Sequence, residues 1–342
     1  MRISSKNLKV YEYSARGWKM SKSELPDAIE VVKLFKAHRN LKELVSKKDA
    51  KWLKGMIDAK GDVFGERIGV LPDGTKLDKA FPLFGKHLTI HDESNHGWDV
   101  LFQNKGGGWN YVYSLEKKKS ASVKKYDKVG DFEKIYSKLH RNILNALRDE
   151  RDIMAVPMET LMETLMRVGN EMYYKKDGHK GLTTLTRANI EINGDKVLFN
   201  FLGKDGVPQS ILRKFPKIYI ERLKKILKGL GKNDFVFVNP SNSRPLIDTA
   251  FENAFLRYCG EKFYPHIVRS YFATKTVEEF LKKNKGKVDK KKVEGLLIGI
   301  ADRLGHKKFS KKKDEWEISY KITMGHYINP SLIEKIEEKM GK

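Results

Sequence analysis

The chain has 342 residues, enough for two domains with at least one sizeable core, and carries 68 lysines and arginines against 44 acidic residues, a formal net charge of +24. The basic residues run along most of the chain, which points to a polyanion partner, nucleic acid first, since each neutralised phosphate releases condensed counterions. A single cysteine, Cys259, excludes an intramolecular disulfide and a multi-cysteine zinc site, while no long apolar run, basic amphipathic helix or lipidation signal speaks for a membrane.

The opening stretch, Met1 to Ser14, lacks the apolar centre of a signal peptide, so an intracellular location is expected. From about Val10 to Tyr113 the pattern is mixed and rich in turns. "LPDGTK" signals a turn, and "WDVLFQNKGGGWNYVYS" reads as two strands around Gly106 to Gly108. The first reading of Trp98, Phe102, Trp109, Tyr111 and Tyr113 is a small sheet core, because alternation at period two predicts burial of one face; the second is a surface for nucleic acid. His87, His91 and His96 stand beside Asp92 and Glu93, but their spacing matches no familiar zinc pattern, and a solvated turn is expected.

"SLEKKKSASVKKYDKVGD" is lysine-rich and poor in apolar residues, and reads as an interdomain linker. Beyond it Phe132, Ile135, Tyr136, Leu139, Ile143, Ala146 and Leu147 recur at helical spacing, as do Met158, Leu161, Met162, Leu165 and Met166. Pro157 sits near the start of this second helix, where its missing N–H costs least. The second pattern runs into Arg167, Gly169 and a turn rich in glycine and lysine. A guanidinium there cannot be neutralised by losing its proton, so it needs either a carboxylate or a phosphate. "ANIEINGDKVLFNFLGKDGVPQSILRKF" follows as three short strands joined by turns at Asn193 to Asp195 and at "GKDG", which places Lys204 at a hairpin tip. "GKDG" lacks the spacing of a nucleotide-binding phosphate loop. The remainder is helical, interrupted by the lysine-rich "KKNKGKVDKKK" and by "KKFSKKKDEWE", where a solvated loop is the default and a basic arm on DNA the alternative. Cys259, in "RYCGEKF", has no evident activating motif.

Singly these signals are weak, but their order is specific. "LMRVGNEMY" with "GLTTL", then "FNFLGKDG", "HIVRSYFAT", "ADRLGH" and "HYINP" resemble the successive active-site motifs of the type IB DNA topoisomerases, whose catalytic domain is shared with the tyrosine recombinases. "KYDKVGDFEKI" is similar to that domain's opening helix, and the resemblance covers roughly residues 120 to 335. It implies an α+β protein with a small β-rich N-terminal DNA-clamp domain, residues 1–118, and a mainly helical catalytic domain with a three-stranded β-hairpin sheet, residues 119–342. It further implies a monomer clamping double-stranded DNA, with no cofactor and no metal ligands. Arg167 is then held on the end of its helix to meet the scissile phosphate, and Gly169 lets the chain pass close to DNA.

The chemistry agrees with the resemblance. Breaking a strand without water or metal needs a nucleophile that conserves the phosphodiester energy, as a tyrosine does by forming a phosphotyrosine. A phenol of pKa about 10 needs a fixed positive field around it and the phosphate, and the leaving 5′ oxygen needs a proton. The implied roles are Tyr327 as nucleophile, Arg167 and Arg269 as phosphate clamps, His306 as donor to a non-bridging oxygen and Lys204 as general acid. His266 is expected to face the phosphate, and Lys307, Lys308, Lys311, Lys312 and Lys313 to meet DNA if their segment is an arm. His266 stands where recombinases carry histidine and topoisomerases more often lysine. The segment between His306 and Tyr327 is longer than in compact family members, and it contains Tyr320 as a competing nucleophile. Two other functions stay open: a site-specific recombinase or integrase, and an inactive DNA-binding protein.

Overall fold

The computed structural model describes residues 1–91 and 97–340. It mixes helices with several small sheets and divides into two compact units, Met1–Lys125 and Tyr126–Lys342. Among the described residues no helix is long and apolar enough to cross a membrane.

In the first unit β1 (Arg2–Ile3), β2 (Val10–Ser14) and β3 (Gly17–Met20) form an antiparallel sheet. Helix α1 (Pro26–Ala37) starts on a proline at its first turn and buries Ala28, Val31, Val32 and Phe35, one face at helical spacing. Two short antiparallel pairs follow, β4 (Met56–Ile57) with β5 (Val63–Phe64) and β6 (Ile68–Val70) with β7 (Lys76–Phe81). "LPDGTK" makes the turn of the second pair, with Gly74 at φ +92°. A last sheet has β8 (Lys86–Ile90), β9 (Val100–Gln103) and β10 (Trp109–Val112), with β9 in the middle.

The β9–β10 hairpin forms where expected, but its aromatics are not the core that alternation suggests. Val100 and Val112 are paired and buried, whereas Trp109 and Tyr111 are 48% and 45% exposed. Period two establishes that one face is buried and leaves open which one; here the smaller β-branched side chains fit the interior. Phe102 alone of these aromatics packs on the unit's core. His87 lies in β8 with its ring 5.9 Å from that of Trp109, not in a solvated turn. Asp92, Glu93 and His96 lie outside the described residues.

The expected linker is helical. Helix α2 (Leu115–Ala146) takes in nearly all of it, and its first part belongs to the first unit. Lysine, glutamate, alanine and serine without proline support a helix wherever no face has to be buried, so a shortage of apolar residues marks exposure here rather than disorder. Asp99 anchors its start, accepting from Ser114 N at 2.6 Å and pairing with Lys117 at 2.8 Å.

The second unit continues with α3 (Ala155–Thr164), α4 (Glu171–Asp177) and an antiparallel sheet of β11 (Ile190–Asn193), β12 (Lys196–Leu202) and β13 (Pro208–Lys214). This is the three-stranded sheet the sequence predicts, with Gly194 at φ +60° and Asp205 at φ +61° turning its two connections. Helices α5 (Lys217–Leu227), α6 (Asp248–Cys259), α7 (Ile267–Lys283) and α8 (Lys290–Arg303) follow. Then come strands β14 (Lys307–Ser310) and β15 (Glu315–Ile318), and helices α9 (Lys321–His326) and α10 (Pro330–Lys339). One core joins Phe132, Leu161, Phe199, Tyr219, Phe251, Val268 and Ile300 from these elements. The basic insertion after His306 is therefore a hairpin rather than a loop, steadied by Phe309 against Trp316 at 5.5 Å.

Candidate active site

Arg167 does not sit on the end of a helix. Helix α3 stops at Thr164, and Leu165 takes a left-handed conformation at φ 58°. A leucine in that region is strained, and burial of both Leu165 and Met166 at 3% exposure is what holds it there. The chain then runs without regular structure to Asn170, whose side chain caps α4 by accepting from Met172 N at 2.8 Å. Gly169, at φ +111°, has a structural duty: a Cβ on the facing Gly181 would come within 2.6 Å of the Gly169 Cα and 2.7 Å of the Arg167 carbonyl oxygen. The close approach is between two segments of this chain, and it lets Leu182 N donate to Arg167 O at 2.8 Å. Arg167 is thereby fixed by its backbone, leaving its guanidinium half-buried.

Arg269, on the first turn of α7, is 2% exposed. Its guanidinium donates to the carbonyl of the strained Leu165, to Leu304 O at 2.8 Å and to His306 Nε2 at 3.0 Å. A guanidinium only donates, so His306 Nε2 is assigned as the acceptor, and the ring proton of the neutral imidazole lies on Nδ1, toward Thr323 Oγ1 at 2.8 Å. Tyr327 closes the group. Its ring centroid is 4.9 Å from that of His306, 6.1 Å from that of His266 and 5.1 Å from the Arg269 guanidinium carbon. The positive charges of Arg269 and Arg167 both act on its hydroxyl. Backbone bonds hold the loop that bears it: Tyr327 N donates to Thr323 O at 3.0 Å, and Tyr126 Oη to Ile328 O at 2.7 Å. Tyr320 stands elsewhere, donating to Glu294 at 3.3 Å.

The electrostatics follow from this packing. Burial pushes the Tyr327 phenol up, but the positive fields of Arg269 and Arg167 outweigh it, and the phenol lies below its ordinary value. Burial lowers Arg269 to about 10, which leaves it charged at neutral pH. Burial, then the charges of Arg269 and Arg167, push His306 down to about 3. Among the described residues no carboxylate lies within ion-pair distance of Arg167 or Arg269, and Arg269 Nε is buried without a hydrogen-bond partner. Buried positive charge held without an acid is a ready-made anion site.

Arg167, Lys204 and Arg269 line one cleft of about 30 Å³. Lys204 is exposed at the β12–β13 tip, and this hairpin is tied to the His306 loop by Gln209 Nε2 donating to Gly305 O at 3.0 Å. Lys180 and Arg303 line the same cleft and were not singled out in the sequence, although Arg303 lies inside "ADRLGH" and Lys180 directly precedes "GLTTL". The hairpin lysines are not part of this group. Lys307 donates to Pro208 O at 3.0 Å, Lys313 pairs with Glu317 at 2.6 Å, and Lys308, Lys311 and Lys312 are exposed. Cys259 is buried, which raises its thiol and disfavours the nucleophilic thiolate.

His306 makes stability depend on pH in a definite direction. The fold depresses its pKa from 6.5 to about 3, so the unfolded chain binds the proton more readily. Its stabilising contribution is full above pH 6.5 and is lost as pH falls toward 3. Between about pH 6 and pH 4 the wild-type folding equilibrium should therefore drop about tenfold per pH unit more steeply than that of His306→Gln, measured by urea unfolding. Parallel pH profiles for the two proteins would show that His306 is not held neutral.

Residues 114–329 match the family described as "Eukaryotic DNA topoisomerase I, catalytic core". DNA topoisomerase 1B of Vaccinia virus (strain Copenhagen) is 32% identical over 102 residues, 29% of this chain and 32% of that protein. DNA topoisomerase 1B of Acanthamoeba polyphaga mimivirus is 23% identical over 219 residues, 58% of this chain and 64% of that protein. A XerH site-specific recombinase bound to palindromic difH substrate aligns with a TM-score of 0.34 and 17% identity, over 60% of this chain and 52% of the recombinase. The chain covers about a third of the length of the vaccinia relative it matches.

Proposed function

The chain belongs to the family of the eukaryotic DNA topoisomerase I catalytic core, and from that premise we propose that it is a type IB DNA topoisomerase, relaxing supercoiled double-stranded DNA without ATP or metal. The observation that carries this is the meeting of Arg167, Arg269, His306 and Tyr327 around buried positive charge that no carboxylate among the described residues neutralises. A phosphodiester supplies the missing anion and the electrophile together.

Tyr327, its phenolic proton released to water under the field of the arginines, attacks the scissile phosphorus through Oη, forming an O–P bond as the bond to the 5′ oxygen breaks and leaving a 3′-phosphotyrosine. Arg167 and Arg269 hold the non-bridging oxygens, Arg269 through Nε, the donor that its contacts with Leu165, Leu304 and His306 leave unused. His306 joins them through Nε2 once it is protonated, which the arriving phosphate favours by offsetting the arginine field. Lys204, on its exposed tip, gives its proton to the 5′ oxygen. The free end then swivels, and reversal of the same steps reseals the strand. Bond energy is kept in the phosphotyrosine, so no nucleotide is consumed. Residues 1–118 serve as the clamp on DNA and 119–342 as the catalytic part of an intracellular monomer, with His266 beside the phosphate and Lys307, Lys308, Lys311, Lys312 and Lys313 on a basic hairpin toward DNA.

Relaxation of plasmids of both supercoil signs in EDTA without nucleotide tests the whole reading. A ladder of relaxed topoisomers is expected; bound but unrelaxed DNA would favour a recombinase that needs its own sequence. Lys204→Ala is expected to slow cleavage about 10²–10⁴-fold and to recover on a substrate with a 5′-bridging phosphorothiolate, whose sulfur leaves without a proton. Failure to recover would remove Lys204 as the general acid.

A further inference from the structure

A second cluster of ionisable groups lies where α2 packs on α3, and the proposed reaction does not use it. His140 on α2 and Glu159 and Glu163, one turn apart on α3, bring three potential ligand atoms within 4.8 Å of one another. Glu159 forms the floor at 1% exposure. Its Oε2 is buried and has no hydrogen-bond partner, although an ionised carboxylate in that position is costly to leave unsatisfied. His140 and Glu163 form the rim, their side chains 30% and 32% exposed.

The spacing fits a small cation. His140 Nε2 stands 3.3 Å from Glu159 Oε2 and 3.9 Å from Glu163 Oε1. A tetrahedral zinc with bonds of about 2.0–2.1 Å sets its ligand atoms about 3.3–3.4 Å apart, so the His140–Glu159 separation already fits and the Glu163 side chain, on the rim, has to move inward to complete the geometry. An ion pair between His140 and Glu159 is the alternative use of these residues. It brings Nε2 to 3.3 Å from Oε2 and 3.4 Å from Oε1, but its one hydrogen bond goes to Oε1, so Oε2 is left without one and a second acid stands beside it. Glu163 responds to that crowding: burial first, then the neighbouring Glu159, raises its pKa. Arg303 and Arg213 each donate to the Glu163 backbone carbonyl at 3.3 Å rather than to its carboxylate, so their positive charge opposes a cation without occupying its ligands.

We propose that His140, Glu159 and Glu163 bind a divalent transition ion, zinc by their donor set, with water in the fourth position, pinning α2 to α3. One imidazole and two carboxylates balance a dication and suit zinc better than magnesium or calcium, which prefer all-oxygen shells. The ion steadies the helix that leads into Leu165 and Arg167; it takes no part in strand cleavage, and the proposal stands whether or not the chain relaxes DNA.

The test uses the full chain, stripped with a chelator, dialysed and titrated with zinc chloride alone against a chromophoric chelator. A single tight equivalent is expected, with a Tm rise of about 5–10 °C at zinc about a hundredfold above Kd. Cobalt(II) in place of zinc should show the intense visible bands of a four-coordinate site. His140→Gln and Glu163→Gln, on the partly exposed rim, should each weaken binding by at least about a hundredfold and remove the Tm rise. Absence of a tight equivalent in the wild type, or an undiminished one in both rim variants, would overturn the proposal. Glu159→Gln serves as a third variant if it folds, and the rim variants decide the matter if it does not.

Discussion

Tyr327→Phe is expected to abolish covalent trapping of DNA, lowering strand cleavage by at least about 10⁴-fold, the scale on which removal of a catalytic nucleophile is felt. DNA affinity should stay nearly unchanged. Phenylalanine keeps the ring that packs 4.9 Å from His306 and lies 5.1 Å from the Arg269 guanidinium carbon, and loses only the hydroxyl. The buried loop also keeps its backbone bonds, since Tyr327 N still donates to Thr323 O. Tyr320→Phe is the matched control: that hydroxyl donates to Glu294 and lacks the arginine field that lowers the Tyr327 phenol. Denaturing gels of protein mixed with a nicked suicide duplex read the result directly. Persistent trapping by Tyr327→Phe, with loss in Tyr320→Phe, would move the nucleophile.

Arg269→Ala should fail twice over. Cleavage is expected to fall about 10²–10³-fold, as for loss of one preorganised donor at a developing charge. Stability should also drop, by about 2–5 kcal/mol, because the Leu165 and Leu304 carbonyls and His306 Nε2 lose their donor. The carbonyl of Leu165 belongs to a residue in a left-handed conformation, so removing its partner also frees the strained turn that precedes Arg167. Arg269→Lys should not restore the rate, since an ammonium lacks the planar fork that reaches two carbonyls and a ring nitrogen at once. Arg167→Ala makes a useful contrast: its side chain meets Tyr327 and closes no backbone carbonyl, so cleavage should fall with little change in urea midpoint. Single-turnover cleavage and urea unfolding on the same preparations separate the two effects. Wild-type cleavage by Arg269→Ala would remove it from the site.

Local chemistry made much of the second unit legible. The β11–β12–β13 sheet is announced by alternation in Val197, Phe199 and Phe201 and by turns at Gly194 and Asp205. Those signals act between neighbours and survive without tertiary context. Elsewhere periodicity misled for physical reasons. Leu165 and Met166 continue the apolar spacing of α3 because they are buried, yet they are not helical; burial and helicity coincide only while the backbone keeps turning. The lysine-rich run from Ser114 looked like a linker because a solvated helix needs no apolar stripe. The run from Lys307 hid a hairpin because its one cross-strand aromatic pair, Phe309 with Trp316, is outnumbered by charge.

By itself the sequence determined the positive charge, the order of the motifs and the residue types able to clamp a phosphate and attack it. Only the tertiary structure decided which of them meet. Arg269 reaches Leu165, Leu304 and His306 from different parts of the chain. That contact assigns the His306 tautomer and, with Arg167, draws the Tyr327 phenol below its ordinary value. The same holds for His140, Glu159 and Glu163, whose separation depends on how two helices pack. Turn chemistry is a property of adjacent residues, but fields, hydrogen bonds and ligand geometry depend on distances of a few ångströms between residues far apart in sequence, and only a packed core sets those.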